Sequence, residues 1–164
     1  MSGHHLAQLN IGLPIEPVDS QRLAGFMAQL EPINALADAA PGFVWRLQTE
    51  DGDATAIRPF EDDRLIVNMS VWRSVEDLAD FVYRTAHAAV MRQRRQWFVP
   101  MREAYTVLWW VPAGHRPSLE DATARLEMLR TSGPSAAAFT LQRPFPRPGS
   151  DVAPAVADDW FCPA

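Results

Sequence analysis

The feature that most constrains this chain is a hydrophobic period that switches repeatedly between two residues and about 3.6. His5 to Ile11 alternates, with His5, Ala7, Leu9 and Ile11 on one side and Leu6, Gln8 and Asn10 on the other. A period of two marks a strand. Gly12, Pro14 and Pro17 break it, and Leu23, Phe26, Met27, Leu30, Ile33 and Leu36 or Ala37 then recur at helical spacing. Asp19 or Ser20 suits the N-cap, Pro32 is expected to kink or split the helix, and Pro41-Gly42 ends it. Alternation returns over Phe43–Thr49, followed by the turn signal Glu50-Asp51-Gly52-Asp53 and a third strand, Arg64–Trp72. Ser74-Val75-Glu76-Asp77 opens a helix predicted to reach about Phe98, before Pro100. A fourth strand spans Tyr105–Val111. Ser118-Leu119-Glu120-Asp121 caps a helix carrying Ala122, Leu126 and Leu129 that closes at Gly133-Pro134, and Ala137–Arg143 is a last strand.

The order is βαββαβ followed by αβ. Two βαβ halves joined by a hairpin give the split βαβ arrangement, an antiparallel sheet with helices on one face, so the expected class is ferredoxin-like α+β. The domain is placed at residues 1–146 and a proline-rich tail, ordered if docked, at 147–164. Arg64–Trp72 is apolar on both sides, which predicts a strand covered on both faces. Helices on one face leave the other open, and a second subunit is the simplest cover, so a homodimer is expected.

At 164 residues the chain suits one domain, and its 48% hydrophobic and 21% charged residues are ordinary for a globular protein. No apolar run approaches the roughly 20 residues that span a bilayer, so no membrane association is expected. Met1-Ser2-Gly3-His4-His5 lacks the basic and apolar regions of a signal peptide, so cytoplasm is the default location. Cys162 is the one cysteine and reads as an incidental thiol. A net charge of −5 argues against a nucleic-acid partner. All 15 basic residues are arginine, which excludes lysine Schiff-base chemistry and a phosphate-loop lysine. GxGxxG, HExxH and GxSxG motifs are absent, and Glu61-Asp62-Asp63 reads as a solvated turn.

Four strings carry a resemblance: His5-Leu6-Ala7-Gln8-Leu9-Asn10, Pro41-Gly42-Phe43-Val44-Trp45-Arg46, Asn68-Met69-Ser70-Val71-Trp72 and Leu108-Trp109-Trp110-Val111-Pro112-Ala113-Gly114-His115. Together they resemble a bacterial domain-of-unknown-function family, numbered 3291, from the start of the chain to about Pro146. The resemblance implies kinship with the dimeric α+β barrels, which include antibiotic-biosynthesis monooxygenases and haem-degrading enzymes. It carries over no activity and no ligand set.

Two surfaces are candidates for chemistry. On the predicted helix Val75–Phe98, a helical wheel puts Val75, Leu78, Val82, Thr85, Ala86 and Ala89 toward the core and His87 nearly opposite, among Asp80, Tyr83, Met91, Arg94 and Phe98. That second face reads either as a dimer contact with a tolerated histidine or as a ligand wall. The strand face with Gln8, Asn10, Arg46, Gln48, Asn68, Ser70 and Trp110 suits an oxygen-rich aromatic ligand, or else a hydrated or dimer-facing sheet surface. The favoured expectation is a cofactor-independent monooxygenase or isomerase. In it Arg46 and Asn68 polarise a substrate oxygen, His87 is acid/base, and Trp72, Trp110 and Tyr83 form walls beside Gln8 and Met91. The alternatives are a haem binder using His87, with Asn68 and Trp72 near it, and a non-catalytic dimer. His115 reads as a loop residue, and Arg92, Arg94 and Arg95 as a solvated helix end paired with acids.

Overall fold

His4–Gly12 forms β1, the strand on which the sheet is built. It is followed by α1 (Ala24–Ala39), β2 (Phe43–Arg46), β3 (Ile66–Trp72), α2 (Val75–Arg84), α3 (Arg94–Trp97), β4 (Thr106–Pro112) and α4 (Leu119–Ser132). These elements come from a computed structural model that describes residues 3–48, 65–84, 89, 92–152 and 154. The sheet order is β2-β3-β1-β4 with each neighbouring pair antiparallel. This is the ferredoxin-like α+β arrangement predicted from the element order.

Because strand side chains alternate, the register sorts them into two faces. Ala7 lies opposite both Val71 and Trp109, and Leu9 opposite Met69 and Val107. These residues form one buried cluster with Ala122, Leu126 and Leu129 of α4. The other face pairs Leu6 with Trp72 and Trp110, Gln8 with Ser70 and Leu108, and Asn10 with Asn68 and Thr106. Its apolar end, Leu6, Trp72 and Leu108, packs with Ala37 of α1 and Val75, Leu78 and Phe81 of α2. The helices of the two βαβ units thus share one side of the sheet. Over β1 and β4 the opposite face is covered by α4 of the same chain, through the stripe Ala122, Leu126 and Leu129, so the face from which a homodimer was expected is not wholly open.

Local signals explain most boundaries. Ser74 Oγ accepts from the Asp77 N–H at 3.1 Å, and Ser118 Oγ from the Asp121 N–H at 3.0 Å, which satisfies helix-end donors. α1 runs through Pro32 as one helix, so the proline does not split it. Its N-cap is Leu23, and Ser20 accepts weakly from the Leu23 N–H at 3.4 Å. The predicted strand Ala137–Arg143 shrinks to isolated bridges, with Phe139 exchanging two 2.8 Å hydrogen bonds with Leu108. The Asp51-Gly52 turn, Glu61-Asp62-Asp63 and Cys162 lie outside the described residues.

The predicted helix Val75–Phe98 is not continuous, because Gln93 is a turn residue ahead of the short α3. Trp97 to Val99 then runs alongside Leu13 to Ile15. The Ile15 N–H reaches the Trp97 carbonyl at 2.8 Å, and the Val99 N–H reaches the Leu13 carbonyl at 2.8 Å. This pairing buries Trp97 and Phe98 against Leu23 and Ile66. Phe98 approaches the strand so closely that a Cβ at Gly12 would stand 2.8 Å from its ring, so the absence of a side chain there is a packing requirement. Among the described residues, no helix is long and apolar enough to cross a membrane.

Candidate functional site

The sheet face beneath α1 and α2 is apolar at one end and polar at the other. Trp72 Nε1 donates to Ser70 Oγ at 2.8 Å, and the Gln8 amide donates to Ser70 Oγ at 3.0 Å and Asn68 Oδ1 at 2.7 Å. One row further, the Asn10 amide donates to Thr106 Oγ1 at 2.8 Å. Ser70 accepts twice, so its own O–H proton points away from both donors. Every position of β3 is buried except Asn68, which pairs with Asn10 of β1 just beyond the end of β2, whose last residue Arg46 stands opposite Ser70. The exposed amide faces an open space above the sheet.

That space is a cavity of about 420 Å³ between this face and the helices. The sheet contributes Gln8, Asn10, Asn68, Ser70 and Thr106 as its polar floor. Phe26, Leu30 and Ile33 of α1 and Leu78, Phe81 and Val82 of α2 form apolar walls. Trp72 closes one end, with its ring 5.5 Å from Phe43 at 82° and 5.2 Å from Phe81. Close packing leaves few voids larger than a water molecule in protein interiors, so a polar-floored space of this size is a pocket rather than a packing flaw.

Of the residues singled out from sequence, the fold brings Gln8, Arg46, Asn68, Trp72 and Tyr83 to this cavity. Trp110 shares the sheet face but not the pocket. Its Nε1 donates to the Phe145 carbonyl at 3.1 Å and Arg147 stacks on its ring at 5.0 Å, so the segment after the last helix covers it. His87 and Met91 lie outside the described residues. Arg46 is already engaged, because its Nε donates to Asp38 Oδ1 at 2.8 Å and a terminal nitrogen to Asp38 Oδ2 at 3.3 Å. His115 is exposed in its loop.

Arg94 was not singled out as a site residue, because the sequence places it both on the helix face with Tyr83 and Phe98 and in an arginine run that reads as solvated. Between exposed neighbours it is half-buried and lines the cavity. Its guanidinium carbon sits 4.3 Å from the Tyr105 ring centre and 5.0 Å from that of Phe98. A terminal nitrogen donates to the Ile11 carbonyl at a long 3.4 Å. Burial pushes the guanidinium below its ordinary pKa while Tyr105 acts in the opposite sense, and arginine stays protonated throughout. The break at Gln93 turns Arg94 inward, and no periodicity announces that break.

Among the described residues no group of three or more His, Cys, Asp or Glu side chains could hold a metal ion. No histidine, cysteine or methionine is among the described lining residues, so the walls offer haem no customary nitrogen or sulfur ligand. A haem reading rests on His87 alone, and no chemical step is routed through haem.

A family described as "Domain of unknown function (DUF3291)" matches residues 5–155. The chain belongs to this family. No curated protein matches the DUF3291 chain. It is similar to a solved structure described as the crystal structure of NE2512, a protein of unknown function from Nitrosomonas europaea. That likeness has 16% identity, covers 72% of this chain and 99% of the other, and has a TM-score of 0.41. At that score it supports no inference about this DUF3291 member.

Proposed function

We propose that the protein binds a small, largely apolar organic molecule bearing oxygen atoms, held in the cavity between the sheet and α1–α2. One observation carries this reading: the exposed Asn68 amide on β3, beside Gln8, Ser70 and Thr106, facing a space of about 420 Å³ walled by Phe26, Leu30 and Phe81. That volume lies within the roughly 300–1,000 Å³ of ligand pockets, and the mix of many apolar walls with few polar groups is their usual chemistry. Asn68 is the residue placed to polarise a ligand oxygen, since Gln8 engages its carbonyl oxygen and leaves its N–H groups for the pocket. An isomerase or cofactor-independent oxygenase would use the same pocket, with His87 as its acid/base.

The test is native mass spectrometry of the protein purified from its own host, beside an Asn34→Trp variant that fills the cavity from α1. The expected result is a reproducible added mass on the natural chain that Asn34→Trp loses while its circular dichroism is unchanged. An added mass that survives Asn34→Trp would place the ligand elsewhere and overturn the assignment. An added mass of haem would replace it with the haem reading.

A further inference from the structure

We infer that the cavity takes a ligand with a single carboxylate, and that Arg94 is the group that receives it. The inference rests on the binding reading above and adds the charge of the ligand. In a chain of net charge −5, the described lining residues include two arginines and neither aspartate nor glutamate. One of these arginines, Arg46, has its fork closed by Asp38. The other, Arg94, has no carboxylate within ion-pair distance among the described residues.

A guanidinium offers five N–H donors in a planar fork. At Arg94 one of them makes the 3.4 Å contact to Ile11, while Tyr105 and Phe98 engage the cation through their rings and accept no conventional N–H hydrogen bond. The rings remove water from around the charge without supplying an anion. A carboxylate matches the unused fork in geometry and cancels the charge. Among the described lining residues Arg94 is the one cation without a carboxylate partner, which suits one negative charge better than a phosphate dianion, whose second charge would stay unpaired. The opposite walls, Phe26, Leu30, Ile33 and Phe81, would hold the apolar body, and the Asn68 amide would meet a second oxygen. An aryl or short alkyl carboxylic acid has this shape.

Calorimetric titration with 2-naphthoate and its neutral counterpart 2-naphthylmethanol tests the charge directly on the natural protein. Naphthoate is expected to bind about tenfold more tightly or better, the scale of a charge-assisted pair. Arg94→Gln should abolish that preference, read as the ratio of the two affinities, while Arg94→Lys should restore part of it. Equal affinities for the two probes in the natural protein, or a preference that survives Arg94→Gln, would overturn the carboxylate assignment while the pocket stands. Binding of neither probe would overturn both. The comparison within the natural protein holds even if a variant fails to fold.

Discussion

Trp72→Ala is expected to lower unfolding free energy by about 3–5 kcal/mol, the range for removing a large buried aromatic. Trp72 is 1% exposed, edge-on to Phe43 at 5.5 Å and beside Phe81 at 5.2 Å, so its ring ties β2, β3 and α2 together. Truncation leaves a void at the end of an existing cavity, where little can collapse inward to refill it. Trp72→Phe keeps most of the volume but removes the donor to Ser70 Oγ. That variant should cost about 1–2 kcal/mol, from the lost hydrogen bond and a smaller void. Urea unfolding with an unchanged slope measures both. A loss under about 1 kcal/mol for the alanine variant would show that Trp72 does not anchor this face.

Gly42→Ala is expected to cost about 3 kcal/mol for two separable reasons. Gly42 has φ 82°, in the left-handed region, and its carbonyl accepts from the Arg73 N–H at 2.8 Å, which holds the turn in place. A Cβ there would also run into the Asp77 carboxylate of α2. Asp77→Gly should relieve the collision but not the backbone strain, whereas Asp77→Ala keeps a Cβ only 2.5 Å from the added carbon. The double variant Gly42→Ala/Asp77→Gly should therefore recover about half of the loss beyond the cost of Asp77→Gly alone. Strict additivity in that cycle would mean that the two residues do not meet.

The two-residue period made most of the sheet legible, because it sorts side chains by face wherever a strand is regular. At β2 a bulge breaks that rule and sends Phe43 and Trp45 to opposite faces. Gln8, Arg46, Asn68 and Ser70 were grouped from sequence alone, and the register brings them together. Trp110 belongs to the same face by the same rule. It is taken out of the pocket by Phe145 and Arg147, which lie beyond the last strand and have no periodicity to place them. The cover of the second face was visible as Ala122, Leu126 and Leu129, a stripe at helical spacing. Assigning it required knowing which side of the sheet the chain crosses to after β4, and a helical stripe says only that a face must be buried. Arg94 was legible in two conflicting ways, on the helix face with Tyr83 and Phe98 and in an arginine run that reads as solvated, and all three residues of that face line the cavity.

The pocket lies on the α1–α2 side of the sheet, while α4 packs over β1 and β4 on the other. The sheet thus separates most of the side chains that line the pocket from those that α4 secures. Leu126→Ala beneath α4 should cost about 2–5 kcal/mol of stability in urea unfolding and leave every described lining side chain in place.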